Sequence, residues 1–238
     1  MKVTNYNEQL DQIVQAELDR PRIYNTVESV RNWAQSKGFV IDDATLAAVD
    51  IRAWDDIINV SEEMLYRFPE IDTDRQKKFK EMFGEPITGN EQFLFEYHYE
   101  AGYWMGYGGN NLLFGRGFSD YEYTVRSFLN AQAEIYEFKP DGTKIYYNVQ
   151  GDGTMKVLPR HEWGHVFFAS IKDDIGWNGM ENLKNKLKAA AYGKQGMSDY
   201  AKKDDDEFLA EGFADWSSGG TSDFALSFGE ELRKFLGR

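Results

Sequence analysis

Two of the three histidines in this chain stand four residues apart, in His161-Glu162-Trp163-Gly164-His165. On an α-helix, residues i and i+4 share a face, so both imidazoles can reach one metal ion. Neutral imidazole suits zinc, and two such donors leave room for a third protein ligand and a water. Glu162, beside the first donor, is placed to take a proton from a metal-activated water and pass it to a leaving amine. The same five-residue pattern also arises by chance on ordinary core helices. The scarcity of histidine in this chain tips the balance toward a metal site. The apolar flanks Val157, Leu158, Val166, Phe167 and Phe168, with Pro159 at the helix start, place the motif on a buried helix.

A second run, Asp204-Asp205-Asp206-Glu207-Phe208-Leu209-Ala210-Glu211-Gly212-Phe213-Ala214-Asp215-Trp216, reads as another helix. Its leading aspartates suit a helix N-terminus, through capping and the helix dipole. Glu207, Glu211 and Asp215 fall at i, i+4 and i+8 on one face. Two readings stand side by side. One is a solvated acidic stripe. The other is one carboxylate on the metal and a second behind it, accepting the free N–H of a ligating histidine.

Taken together, His161-Glu162-Trp163-Gly164-His165, then Tyr200-Ala201, then Glu207-Phe208-Leu209-Ala210-Glu211-Gly212-Phe213-Ala214 resemble the gluzincin metallopeptidases of the anthrax lethal factor and Pro-Pro endopeptidase type. The same pattern is found in phage-encoded head-morphogenesis proteins with a peptidase-like domain. The likeness covers roughly residues 140–236. It implies that Glu207 is the third zinc ligand, that Tyr200 donates a hydrogen bond to the oxyanion, and that Glu211 neighbours the site. Trp163 stands where Phe or Tyr is usual, and Gly212 replaces the usual Ala, which loosens the helix by up to about 1 kcal/mol. Neither departure removes a catalytic group.

The elements that must position these residues follow from periodicity and punctuation. Helices are expected over 7–19, stopped by Pro21; over 26–37, with Val27, Val30 and Trp33 on one face and Gly38 at the end; over 52–68, with Trp54, Ile57, Ile58, Leu65 and Phe68 recurring; and over 75–83. The aromatic run 92–99 favours a strand. The Gly- and aromatic-rich stretch 102–117 suggests bends or an edge strand, on which a peptide could lie by strand addition. A helix is expected over 119–131, turns at 140–142 and 151–153, and a strand at 145–149. Helices follow over 159–172, 180–192, 205–217 and 222–236, the last with Phe224, Phe228, Leu232, Phe235 and Leu236 on one stripe. The fold class expected is α+β. The resemblance makes it a zincin-like metallopeptidase domain over 86–238, with a small, mostly antiparallel sheet packed on the zinc-binding helix and a mainly helical C-terminal part. A helical appendage covers 1–85, and the one candidate boundary is the loop near 84–90.

Composition narrows the classes. With 27 Lys plus Arg against 40 Asp plus Glu, the net charge is −13, a poor match for nucleic acid or an anionic membrane. The absence of cysteine excludes a disulfide scaffold, a thiolate metal site and a cysteine nucleophile, so any metal must be held by nitrogen and oxygen. No signal peptide or membrane-spanning run is visible, which leaves a cytoplasmic, virion-associated or signal-independently secreted protein. His98, alternating with Tyr97 and Tyr99, reads as a strand residue rather than a ligand. Lys184, Lys186, Lys188, Lys194, Lys202 and Lys203 read as a solvated face, or as a contact for an acidic substrate or a capsid neighbour. Three functions from different classes remain: a zinc-dependent endopeptidase acting on protein or peptide through a metal-activated water, a phage virion or head-assembly protein that binds phage structural proteins through a peptidase-like domain, and a metal-dependent binding module without turnover.

Overall fold

The computed structural model describes residues 3–88, 91–99, 105–108, 111–134 and 155–238. The chain divides into two compact units, one of residues 1–59 and 73–131, the other of residues 60–72 and 132–238. The stretch 84–90 therefore falls within the first unit.

The first unit is α+β. Helices α1 (Val3–Leu18), α2 (Val27–Lys37), α3 (Asp43–Ala48), α5 (Arg75–Phe83) and α6 (Tyr121–Glu134) accompany the N-terminal part of α4 (Ile51–Arg67). Four short strands, β1 (Val40–Ile41), β2 (Leu94–Tyr97), β3 (Met105–Gly108) and β4 (Asn111–Phe114), form one sheet in the order β1-β2-β4-β3. The sheet is mixed, not mostly antiparallel: β1–β2 and β2–β4 pair in parallel, and only β3–β4 pair antiparallel. The reason lies in the connections. Two residues separate β3 from β4, which suits a hairpin, whereas three helices intervene between β1 and β2 and allow a parallel crossover. The aromatic run does form β2, and the 102–117 stretch supplies an edge strand, β3, and its neighbour β4. Neither β1 nor α3 was anticipated, because two and six residues carry too little periodicity to read.

The core of this unit is aromatic. Trp33 packs edge-on against Phe39 and Phe95, and Trp54 against Phe114, with ring centroids 5.1–5.6 Å apart. In α2, Val30 and Trp33 are buried as expected. Val27, in the first turn beside the Thr26 cap, is 42% exposed. The turns expected at 140–142 and 151–153 and the strand at 145–149 lie outside the described residues.

The second unit is helical in its described part. It contains α7 (Val157–Ala191), α8 (Asp205–Ser217) and α9 (Asp223–Leu236), with a 3-10 turn at Tyr200–Lys202. The α7 span is two helices, as expected at 159–172 and 180–192, and they meet at a break at Gly176, where φ 71° and ψ 176° leave the helical region. A second aromatic cluster holds the helices together: Phe68 lies against Phe167 and Phe213, and Phe208 against Phe224 and Phe228. Phe235, expected on the same stripe of α9, is 39% exposed near the helix end. Among the described residues, no helix is long and apolar enough to cross a membrane.

Glycine sets how closely these helices approach. A Cβ on Gly164 would lie 3.0 Å from the Ala210 Cα, so α7 and α8 meet nearly backbone to backbone. A Cβ on Gly212 would lie 2.4 Å from the ring of Phe228, which is fully buried. Gly212 is therefore a packing requirement of α9, not a loose point in α8. Helix propensity alone says that Gly212→Ala should add up to about 1 kcal/mol. Overpacking a rigid ring costs about 1–3 kcal/mol. We expect a net loss of about 1–2 kcal/mol in denaturant unfolding, since the clash is with ring atoms rather than a flexible chain end. A gain in stability would show that Phe228 moves aside freely.

Candidate metal centre

His161 and His165 are one turn apart on α7, and Glu207 and Glu211 are one turn apart on α8. The close crossing at Gly164 brings these faces together. The α7 segment is fixed from behind. Trp163 is fully buried and its indole N–H donates to Ser61 Oγ at 3.0 Å, while Arg160 Nη2 donates to Glu63 Oε2 at 2.8 Å. Trp163 thus finds a polar partner suited to its ring nitrogen. On α8, the Asp204 side chain caps the helix by accepting from the Glu207 N–H at 2.9 Å, which orients the first turn.

Three ligand atoms converge. His161 Nε2 lies 3.2 Å from His165 Nε2 and 3.0 Å from Glu207 Oε2, and His165 Nε2 lies 3.5 Å from the same Oε2. Among the described residues this is the one cluster of three such groups able to hold a metal ion. Donor atoms at about 2.0–2.1 Å from a tetrahedral ion sit about 3.3 Å from one another, so the triangle has the right size. The donor set, two imidazole nitrogens and one carboxylate oxygen, is that of a hard-to-borderline divalent cation.

Behind the triad, His161 Nδ1 lies 2.8 Å from Glu211 Oε1, and Ser198 Oγ donates to Glu211 Oε2 at 2.6 Å. That carboxylate fixes the His161 tautomer, with the proton on Nδ1 and Nε2 turned to the centre. Ser198 was not singled out in the sequence. Its signal is local: its hydroxyl also accepts from the Ala201 N–H three residues on, the spacing of a capping serine. Of the three acids one turn apart, Glu207 and Glu211 reach the histidines. Asp215 instead accepts from Ser222 Oγ at 2.9 Å and serves the α8–α9 connection.

The electrostatics favour positive charge at the centre. Burial alone would lower the His161 pKa, but hydrogen bonds to Glu207 and Glu211 and the nearby charge of Glu162 outweigh it and push it up to about 10. Glu207 is held well below the usual carboxylate range: burial opposes this, but hydrogen bonds from His161, His165 and Lys203 prevail. Glu162 is buried and shifts the other way, upward, because desolvation outweighs the attraction of the two histidines. Tyr200 donates its hydroxyl to Glu207 Oε1 at 3.0 Å, and burial plus the charge of Glu207 pushes its pKa up to about 12. The phenol therefore stays protonated, a donor, at neutral pH.

The lysines do not form a uniform solvated face. Lys184 and Lys188 pair with Asp205 at 2.9 and 2.6 Å, and Lys203 donates to Glu207 Oε1 at 2.8 Å. His98 is exposed just after β2 and stands outside the triad. Comparison of the chain with protein-family models, curated proteins and solved structures finds no match.

The geometry ranks the two glutamates. Glu207→Gln should weaken metal binding more than Glu211→Gln, whose loss should cost about 10–100-fold in affinity as for other carboxylates behind a histidine ligand. Competition against a chromophoric chelator measures both. The reverse order would exchange their roles.

Proposed function

We propose that this chain is a zinc-dependent endopeptidase with a zincin-like fold, of the gluzincin kind that its motifs resemble. The observation that carries the reading is the convergence of His161 Nε2, His165 Nε2 and Glu207 Oε2 at tetrahedral-edge separations, with a buried glutamate next to the first histidine. These three residues would hold the ion. The chemistry zinc supplies at such a site is Lewis acidity, which lowers the pKa of water toward about 7 and polarises a carbonyl.

The side chains do the rest. Glu162, its basicity raised by burial, takes the proton of the attacking water as the C–O bond forms. It then returns that proton to the amide nitrogen as the C–N bond breaks, so the products are a carboxylate and an amine. Tyr200, protonated at neutral pH and within hydrogen-bond distance of the Glu207 carboxylate, is the donor available to the oxyanion. Glu211, backed by Ser198, keeps the His161 ring from turning. The substrate is a protein or peptide. A phage assembly role needs no such pairing of a raised-pKa glutamate with a histidine-carboxylate triad.

Purified protein should carry about one zinc per chain. Glu162→Ala should keep zinc and fold while cleavage of a proteome-derived peptide library falls by about 10²-fold or more. A zinc-loaded wild type that cleaves nothing would overturn the peptidase reading. Failure to take up zinc at all would overturn the metal assignment.

A further inference from the structure

The Glu207 carboxylate is divided between two sets of neighbours. Its Oε2 faces the imidazoles of His161 and His165. Its Oε1 accepts from both the Tyr200 hydroxyl, at 3.0 Å, and the Lys203 ammonium, at 2.8 Å. Lys203 Nζ is also 3.4 Å from the Tyr200 hydroxyl and 5.0 Å from the centroid of its ring. Lys203 follows Tyr200 by three residues and precedes Glu207 by four, so the 3-10 turn and the α8 cap together place it between them.

An exposed Lys–Glu pair at this spacing ordinarily contributes little. Two features set this one apart: the lysine's partner is only 13% exposed, and that partner is shared with a tyrosine and two histidines. A carboxylate with one oxygen toward a metal and the other free can rotate to present both. It can do so most easily at the moment Tyr200 turns away to reach a substrate oxygen, because Oε1 then loses a donor.

We infer that Lys203 is a positioning residue that keeps Oε1 occupied, so that Glu207 presents Oε2 alone to the metal while the Tyr200 hydroxyl is released to the substrate. The inference rests on the peptidase reading for its second half only; the restraint on Glu207 concerns metal binding by itself. Lys203 touches neither water nor substrate in this role and acts through Glu207 and Tyr200.

The test uses the full chain loaded with cobalt(II) or zinc. In the cobalt protein, visible absorption weakens as coordination number rises. Lys203→Met should weaken the band, because Oε1, then held by Tyr200 alone, turns more readily onto the ion, and Lys203→Arg should retain it. With zinc and a cleaved peptide, Lys203→Met should lower kcat about tenfold with KM unchanged, as expected for a misplaced catalytic group. In a Tyr200→Phe background the same substitution should lower kcat by less than about twofold, since the two act as one unit. An unchanged cobalt band in Lys203→Met would overturn the restraint on Glu207. Losses in kcat that multiply in the double variant would overturn the link to Tyr200. A zinc-loaded wild type without cleavage would instead count against the peptidase reading, with the cobalt spectra still deciding the role of Lys203.

Discussion

Two helices face each other with one i,i+4 pair apiece, imidazoles on α7 and carboxylates on α8, and the contact between those pairs is what the second unit is organised to hold. Each carboxylate meets a histidine nitrogen within about a hydrogen bond's length, Glu207 on the Nε2 side and Glu211 on the Nδ1 side of His161. Buried imidazole and carboxylate groups are costly unless each has a partner. Here the partners are complete on the outer side, through Ser198 and Lys203, and converge on the inner side into a triangle of lone-pair donors. Such a triangle is a place for positive charge, and the raised His161 pKa is the signature of that field acting on the nearest group able to take a proton.

Holding four polar groups in register across a helix pair requires a close, rigid crossing. Gly164 lets the α7 backbone come within van der Waals distance of Ala210. The stacked rings of Phe167 and Phe213, 4.9 Å apart, lock the neighbouring turns, and Phe68 closes over both. Gly212 then lets α9 seat Phe228 against the back of α8. The aromatic richness of the chain, 16% of its residues, is in this unit a means of fixing helix positions closely enough to keep the two side-chain pairs in register.

What could be read from the sequence follows from how local each cause is. The i,i+4 histidines, the glutamate between them, the capping aspartate of α8 and most helix limits are set by spacing within one element, and they stand where spacing put them. The ring of Phe228 that fills the gap at Gly212 comes from another helix, so no local pattern announced it, whereas Ser198 and Lys203 have partners three or four residues away, in spacings too common to single them out. The acidic face of α8 shows the boundary between the two cases. Its periodicity placed Glu207, Glu211 and Asp215 together, but only the tertiary contacts separate the two that face histidine from the one that receives Ser222. In the sheet, aromatic and glycine content marked β2 and the β3–β4 stretch but not the two-residue β1, while the parallel pairing depends on long connections that strand composition does not encode.

The proposed chemistry requires that His161, His165 and Glu207 close around a single ion. X-ray absorption at the zinc edge of the loaded protein tests it most directly. The result expected is a four-coordinate shell with two imidazoles at about 2.0–2.1 Å and the remaining donors oxygen, with the imidazole scattering halved in His165→Ala. A shell of oxygen alone, or a spectrum unchanged by His165→Ala, would contradict it.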